Sequence, residues 1–147
     1  MITVRPLPED LFDECLGLMY EDTAEYAEHA LTALGLDWPQ FAQMFRERGE
    51  VYGVYEENVF AGFYWVEVRD RVLHLHAIIV KPAFQGKGIG SRVISGLCES
   101  HPQGVEAIEL GVHQSNERAK ALYERLGFQV LRYRPEVGFF IMQKILG

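Results

Sequence analysis

Three groups of residues in this chain have types and spacings suited to chemistry. The first is Gln85-Gly86-Lys87-Gly88-Ile89-Gly90-Ser91, which follows the apolar run Ile78-Ile79-Val80 and leads into an amphipathic segment. Glycines let a backbone approach a ligand with no Cβ in the way. The first N–H groups of a helix lack internal partners, and the helix dipole makes that end positive. A strand running through such a loop into a helix is therefore an anion cradle suited to phosphate. The second group is His74 and His76, two residues apart in "LHLHAIIV" and so on one face of a strand. A histidine of pKa near 6.5 can accept a proton at neutral pH. The third is Tyr123, on the stripe Ala119, Leu122, Tyr123, Leu126, whose phenol can act as a proton donor.

The glycine spacing excludes two common phosphate loops. The nucleotide-hydrolase loop needs a lysine after its last glycine, and here Lys87 lies between glycines. The dinucleotide fingerprint fails because the third glycine comes one residue early. A tight strand-to-helix turn with no ligand remains the plain alternative.

The elements that must position these residues can be read along the chain. "ITVRP" (Ile2 to Pro6) reads as a first strand ended by proline. A helical pattern follows from Glu9 to about Ala33, with stripes Leu11, Cys15, Leu18 and Ala24, Ala27, Leu31, and with Gly17 expected to interrupt the first helix or to lie near its end. Asp37 caps a helix with Pro39 in its first turn and Gly49 as its stop. "EVYGVYEE", "VFAGFYWVEVR" and "RVLHLHAIIV" read as three strands joined antiparallel by short turns. Ile89, Val93, Ile94 and Leu97 then recur at helical spacing, and "VEAIELGV" is a strand. "SNERAKALYERLG" is a helix capped by Ser115 or Asn116 and ended by Gly127, and two strands flank Pro135 at the end. The passage from Leu73 to Val112 is strand, helix, strand, which implies a parallel pair in an otherwise antiparallel sheet. The expected class is α/β or mixed α+β, with helices on both faces of a mixed sheet.

Composition sets limits. The chain has 147 residues, 48% of them hydrophobic and 24% charged, which suits one domain spanning residues 1–147. No apolar run approaches a membrane span, and no signal-peptide pattern opens the chain, so a cytoplasmic, membrane-free protein is expected. The net charge of −7 argues against nucleic-acid binding. Cys15 and Cys98 form neither a disulfide framework nor a metal pattern, and no metal is expected.

The run from Val80 to Val93 resembles the coenzyme-binding motif of the GNAT superfamily, the acetyl-CoA-dependent N-acetyltransferases. That family's core Q/R-x-x-G-x-G/A fits Gln85-Gly86-Lys87-Gly88-Ile89-Gly90 without exception. A second family block, N-x-x-A-x-x-x-Y-x-x-x-G-F, matches Asn116, Ala119, Tyr123, Gly127 and Phe128. The element order is similar to the family's over nearly the whole chain. The resemblance implies a GNAT fold: a mostly antiparallel sheet of about seven strands with one splayed parallel pair. It implies that backbone N–H groups from Gln85 to Ser91 bind the pyrophosphate of coenzyme A. It implies that Ile78, Ile79 and Val80 offer their backbone to the pantetheine arm and polarise the thioester carbonyl, with Asn116 near the coenzyme. It gives Tyr123 the role of acid at the leaving sulfur.

The resemblance leaves the base open. Many family members use a glutamate on the strand before the loop, and here that strand supplies His74 and His76. His76, nearer the loop, is the first choice. Glu21, Glu25, Glu109 and a water chain are alternatives. The acids Glu21, Asp22, Glu25 and Glu28 read first as a solvated helix face, and otherwise as a lure for a cationic amine. Tyr20, Tyr26, Trp38, Tyr64 and Trp65 are core or acceptor-pocket aromatics. The expected activity is direct transfer of acetyl from acetyl-CoA to a primary amine, on a small molecule or on a protein lysine or N-terminus. A CoA-binding sensor of the same fold without turnover is the alternative, and a homodimer through edge strands is compatible with either.

Overall fold

The computed structural model describes residues 1–147. Seven strands form one sheet: β1 (Ile2–Pro6), β2 (Glu50–Glu56), β3 (Val59–Arg69), β4 (Val72–Val80), β5 (Ala107–His113), β6 (Gln129–Arg134) and β7 (Phe139–Ile145). Their order is β1-β2-β3-β4-β5-β7-β6. Every neighbouring pair is antiparallel except β4 and β5, which are parallel. The two hairpins of the meander have two-residue turns, Glu57-Asn58 and Asp70-Arg71, with positive φ at all four residues. That conformation matches the right-handed twist of the flanking strands.

Helices α1 (Phe12–Asp22), α2 (Ala27–Ala33) and α3 (Trp38–Glu47) follow β1, and α4 (Ile89–Glu99) and α5 (Glu117–Arg125) flank β5. Two cores lie on opposite faces of the sheet. One packs Leu7, Cys15, Leu16, Met19 and Phe45 of the N-terminal segment and helices α1 and α3 on Val51, Phe63 and Trp65. The other packs Ile89, Val93 and Ile94 of α4, with Phe128 after α5, on Tyr64, Leu73, Leu75, Ile108, Leu110 and Met142.

The helical pattern between Glu9 and Ala33 breaks later than its glycine suggests. Gly17 lies inside α1, where a Cβ would meet nothing, and the break falls between Asp22 and Ala27. The buried stripe of α1 is Cys15, Leu16 and Met19 rather than Leu11, Cys15 and Leu18. Asp37 does cap α3: its side chain accepts from the Gln40 N–H, and the Gln40 side chain accepts from the Asp37 N–H.

The feature that shapes the site is a bulge. Trp65 of β3 pairs with Ala77 of β4, and Val66 pairs with Leu75, so His76 has no partner residue. An extra residue bends a strand and raises its local twist. The parallel pairing of β4 with β5 ends at Leu75–Leu110, at the same place. From His76 to Val80, β4 stays bonded to β3 and leaves β5, so the two strands splay and the β5-facing edge of β4 is bare. Leu73 and Leu75 point into the α4/α5 core, whereas Ala77 and Ile79 pack against the α1/α3 core.

Candidate functional site

Two cavities open from the splay. The first, about 470 Å³, is lined by Ile78, Ile79, Val80, the glycine loop and the inner face of α5. Gly86 and Gly88 have φ of +80° and +77°, and Gly88 is the N-cap of α4 with no side-chain cap. The N–H groups from Gly86 to Ser91 donate to no acceptor within the protein. Arg92 holds the loop from behind: its guanidinium donates to the carbonyls of Lys87 and Gly88 at 3.2 and 3.5 Å, and its own N–H donates to Gly88. Six free donors at the positive end of an eleven-residue helix make an arrangement that suits an anion.

One member of that expected set is already engaged. The Gln85 N–H donates to Pro82 O, so the free donors begin at Gly86. The Gln85 side chain instead donates to Val80 O at 2.9 Å, which ties the loop to the end of β4. The Lys87 ammonium pairs with Glu56 at 3.3 Å and Lys87 does not line the cavity, so five of the six free donors belong to lining residues. Arg118 and Arg125 of α5 do line it and add positive charge. Sequence reasoning passed over both, although their spacing of seven places them on one helix face.

The cradle also passes a fit test for a large phosphate-bearing ligand. At Gly90 the φ is not in the left-handed region, and a Cβ would meet nothing within 4 Å. Internal packing and backbone conformation thus make no demand for glycine there. A group from outside the chain approaching the helix end would.

The second cavity, about 350 Å³, lies on the other side of the splay. Its walls come from the α1–α2 segment, α2, the start of α3, and the ends of β4, β5 and β7. Tyr26 stacks on His113 with ring centroids 3.9 Å apart, and Phe139 meets both rings edge-on. This aromatic cluster anchors the α1–α2 segment to β5 and β7. His113 has no sequence signature and was not anticipated.

Five residues line both cavities: Asp22, Ile78, Ile79, Asn116 and Tyr123. Asn116 caps α5 by accepting from the Ala119 N–H at 3.2 Å, so its amide NH₂ is left for the seam. Tyr123 makes no hydrogen bond through its hydroxyl within the protein. Burial, and then the charge of Asp22, push its phenol up to about 12, so it is a proton donor throughout the neutral range.

His76 lines the second cavity only. Its Nε2–H donates to Glu67 Oε1 at 2.8 Å, and its ring lies 4.7 Å from that of Trp65. Burial lowers its pKa and Glu67 partly opposes the fall, so the ring is neutral at pH 7 with Nδ1 free to accept. Glu67 is held ionised by His76, Arg48 and Arg69. The carboxylate that β4 lacks in sequence is thus supplied to His76 from β3.

Several expected candidates lie elsewhere. His74, Glu21, Glu25 and Glu109 line neither cavity, and Glu109 accepts from Gln143. The acids from Glu21 to Glu28 do not share a face, because α1 ends at Asp22; only Asp22 reaches the site. Among the aromatics, Tyr26 and Trp38 line the second cavity, Tyr64 and Trp65 are buried core, and Tyr20 is an exposed residue packed edge-on against Trp38. Cys15 is fully buried and Cys98 is half-buried; neither faces a cavity.

The splayed parallel pair, the glycine-rich helix start and the tyrosine between two cavities agree with the arrangement that the sequence resemblance implies. The chain belongs to the acetyltransferase (GNAT) family, whose model matches residues 10–128. It is 34% identical over 124 residues to a mycothiol acetyltransferase of Propionibacterium freudenreichii subsp. shermanii, which covers 81% of this chain and 37% of that one. The chain thus spans just over a third of the length of the curated relatives it matches first. Among solved structures it resembles the PaiA N-acetyltransferase of Thermoplasma acidophilum in complex with coenzyme A, at 18% identity, TM-score 0.73 and 99% coverage of both chains. It also resembles Ard1 of Thermoplasma volcanium, at 17% identity and TM-score 0.76, over 99% of this chain and 98% of that one. Both likenesses are those of fold. No helix is long and apolar enough to cross a membrane.

Proposed function

We propose that residues 1–147 act as one unit that moves the acetyl group of acetyl-CoA directly to a primary amine. The observation that carries this reading is the seam: Tyr123 stands where a cavity lined by five residues with free N–H donors meets a second cavity of different chemistry. In this reading the N–H groups from Gly86 to Ser91 hold the coenzyme's pyrophosphate. The bare edge of β4 at Ile78, Ile79 and Val80 pairs with its amide-bearing arm, and Asn116 contacts it beside the splay. Arg118 and Arg125 add favourable charge for its phosphates.

The amine must be neutral to attack, and His76 takes its proton through Nδ1. A C–N bond forms and the C–S bond breaks; the leaving thiolate receives the Tyr123 proton, and the proton released by the acetylated nitrogen passes back to the Tyr123 phenolate. A backbone N–H of Ile78–Val80 polarises the carbonyl as it becomes tetrahedral. Direct transfer is supported because neither cysteine faces a cavity. The mycothiol acetyltransferases bring a mycothiol-related acceptor into consideration, but they are more than twice as long, so the acceptor is argued below from the cavity.

The test is thiol release from acetyl-CoA with a panel of small amines and peptides. Acceptor-dependent release supports transfer. Saturable coenzyme binding with no release across the panel would make the protein a binding module instead.

A further inference from the structure

The chemistry of the acceptor can be read from the second cavity, granted the transfer reading above. Eighteen of the twenty-five residues lining it are hydrophobic, which decides the character of what fills it. The part away from the seam is walled by Ala27, Ala30 and Leu31 of α2, by Trp38 and Phe41 of α3, and by Phe139 of β7. Trp38 and Phe41 pack on each other there, with ring centroids 5.2 Å and planes 30° apart.

Charge is distributed very unevenly across this surface. Asp22 is the only carboxylate lining the cavity, and it is also the only carboxylate lining the coenzyme side. It closes α1 at the seam, on the same stretch of surface as Tyr123. The other ionisable wall residues besides tyrosines are His76, His113 and Arg134, and Arg134 pairs with Glu136 at 3.4 Å. None of them carries a negative charge to hold a second ammonium.

We infer that the acceptor is a monoamine on an apolar, ring-sized body, whose ammonium is drawn to the seam by the Asp22 carboxylate while the body fills the aromatic and aliphatic wall. A polyamine would place its second ammonium against that wall with no carboxylate to meet it, a costly burial of unpaired charge. An amino sugar would leave several hydroxyls without partners there. A ring-bearing amine such as phenethylamine or tryptamine has one charge for Asp22 and an apolar body for the remainder. Asp22 stays exposed, open to an incoming ammonium, and partial burial raises its pKa. Asp22 acts here as a specificity residue, and His76 keeps the role of proton acceptor.

The test compares phenethylamine, tryptamine, spermidine and glucosamine as acceptors for the wild type, Asp22→Asn and Asp22→Glu. Phenethylamine or tryptamine should exceed spermidine and glucosamine in kcat/KM by about tenfold or more. Asp22→Asn should raise the amine KM about tenfold with little change in the KM for acetyl-CoA, and Asp22→Glu should recover most of the loss. Equal or better use of spermidine or glucosamine, or an unchanged amine KM in Asp22→Asn, overturns the inference. Calorimetric titration of phenethylamine into the coenzyme A-saturated protein provides a readout that needs no turnover. Binding that weakens in Asp22→Asn supports the inference even if no thiol is released, in which case only the transfer reading falls. Absence of binding by both phenethylamine and tryptamine overturns the inference even if another amine is acetylated.

Discussion

The Nε2 of His76 lies 2.8 Å from Oε1 of Glu67, joining the bulged residue of β4 to its neighbour strand. The bond fixes the tautomer: the proton sits on Nε2 and the lone pair on Nδ1. It also sets two opposed influences on the ring. Burial favours the neutral form more than Glu67 favours the charged one, and the net shift is downward.

Replacing Glu67 with Gln removes the opposing influence, so the His76 pKa should fall further below its ordinary value of about 6.5. Titration of the histidine ring protons by NMR reads this directly, and an upward or absent shift would refute the assignment. The sign for stability follows from linkage. The folded state holds His76 neutral to lower pH than the unfolded state does, so the unfolded chain binds more protons in that window. The contribution of His76 is neutral above about pH 6.5 and becomes destabilising as pH falls below it. Urea midpoints should therefore drop less between pH 7 and pH 5 in His76→Gln than in the wild type.

Tyr123→Phe removes a hydroxyl that has no hydrogen-bond partner within the protein, so the fold should tolerate it. If that hydroxyl protonates the leaving sulfur, kcat should fall by about tenfold or more, with coenzyme affinity nearly unchanged. Stopped-flow or steady-state thiol release, paired with a coenzyme titration, separates the two quantities. Unchanged turnover would remove Tyr123 from the chemistry.

The glycine loop and Tyr123 were legible in sequence because their signals are local: a strand-to-helix turn and a stripe at helical spacing. The seven strands were legible for the same reason, each being a short run bounded by turn residues. The Glu67–His76 pair was not, because alternation along one strand says nothing about the neighbouring strand or about a one-residue bulge. Asp22 was visible only as one acid among several. Its distinction comes from where α1 stops, and Gly17 drew the eye away from that point. Likewise, no sequence pattern links Tyr26 to His113, whose stacking depends on how the α1–α2 segment crosses the sheet.

Gly90 offers a cleaner probe of the anion cradle than Gly88. A side chain at Gly88 would strain a backbone at φ +77°, mixing stability with binding. At Gly90 a Cβ meets nothing and the φ is unremarkable, so Gly90→Val should fold with no cost in helix propensity, glycine being the poorer helix former. The branched side chain would stand among the free N–H groups, and coenzyme A affinity should weaken about tenfold or more on calorimetric titration. Wild-type affinity in this variant would place the pyrophosphate elsewhere.

Gly62 holds the splayed end of β4 from the other side. A Cβ there would stand 2.3 Å from the carbonyl oxygen of Ile79, a backbone atom that cannot swing aside. Gly62 pairs with Val80, so any relief moves the stretch of β4 that bounds both cavities. Gly62→Ala should therefore destabilise the fold by about 1–3 kcal/mol, the range for forcing extra atoms into a packed interior. Urea unfolding measures that cost. Because the displaced strand carries Ile78 and Ile79 at the seam, the surviving folded fraction should also bind coenzyme A less tightly. A variant that loses stability yet keeps full affinity would show that the bare edge of β4 is not what holds the coenzyme's arm.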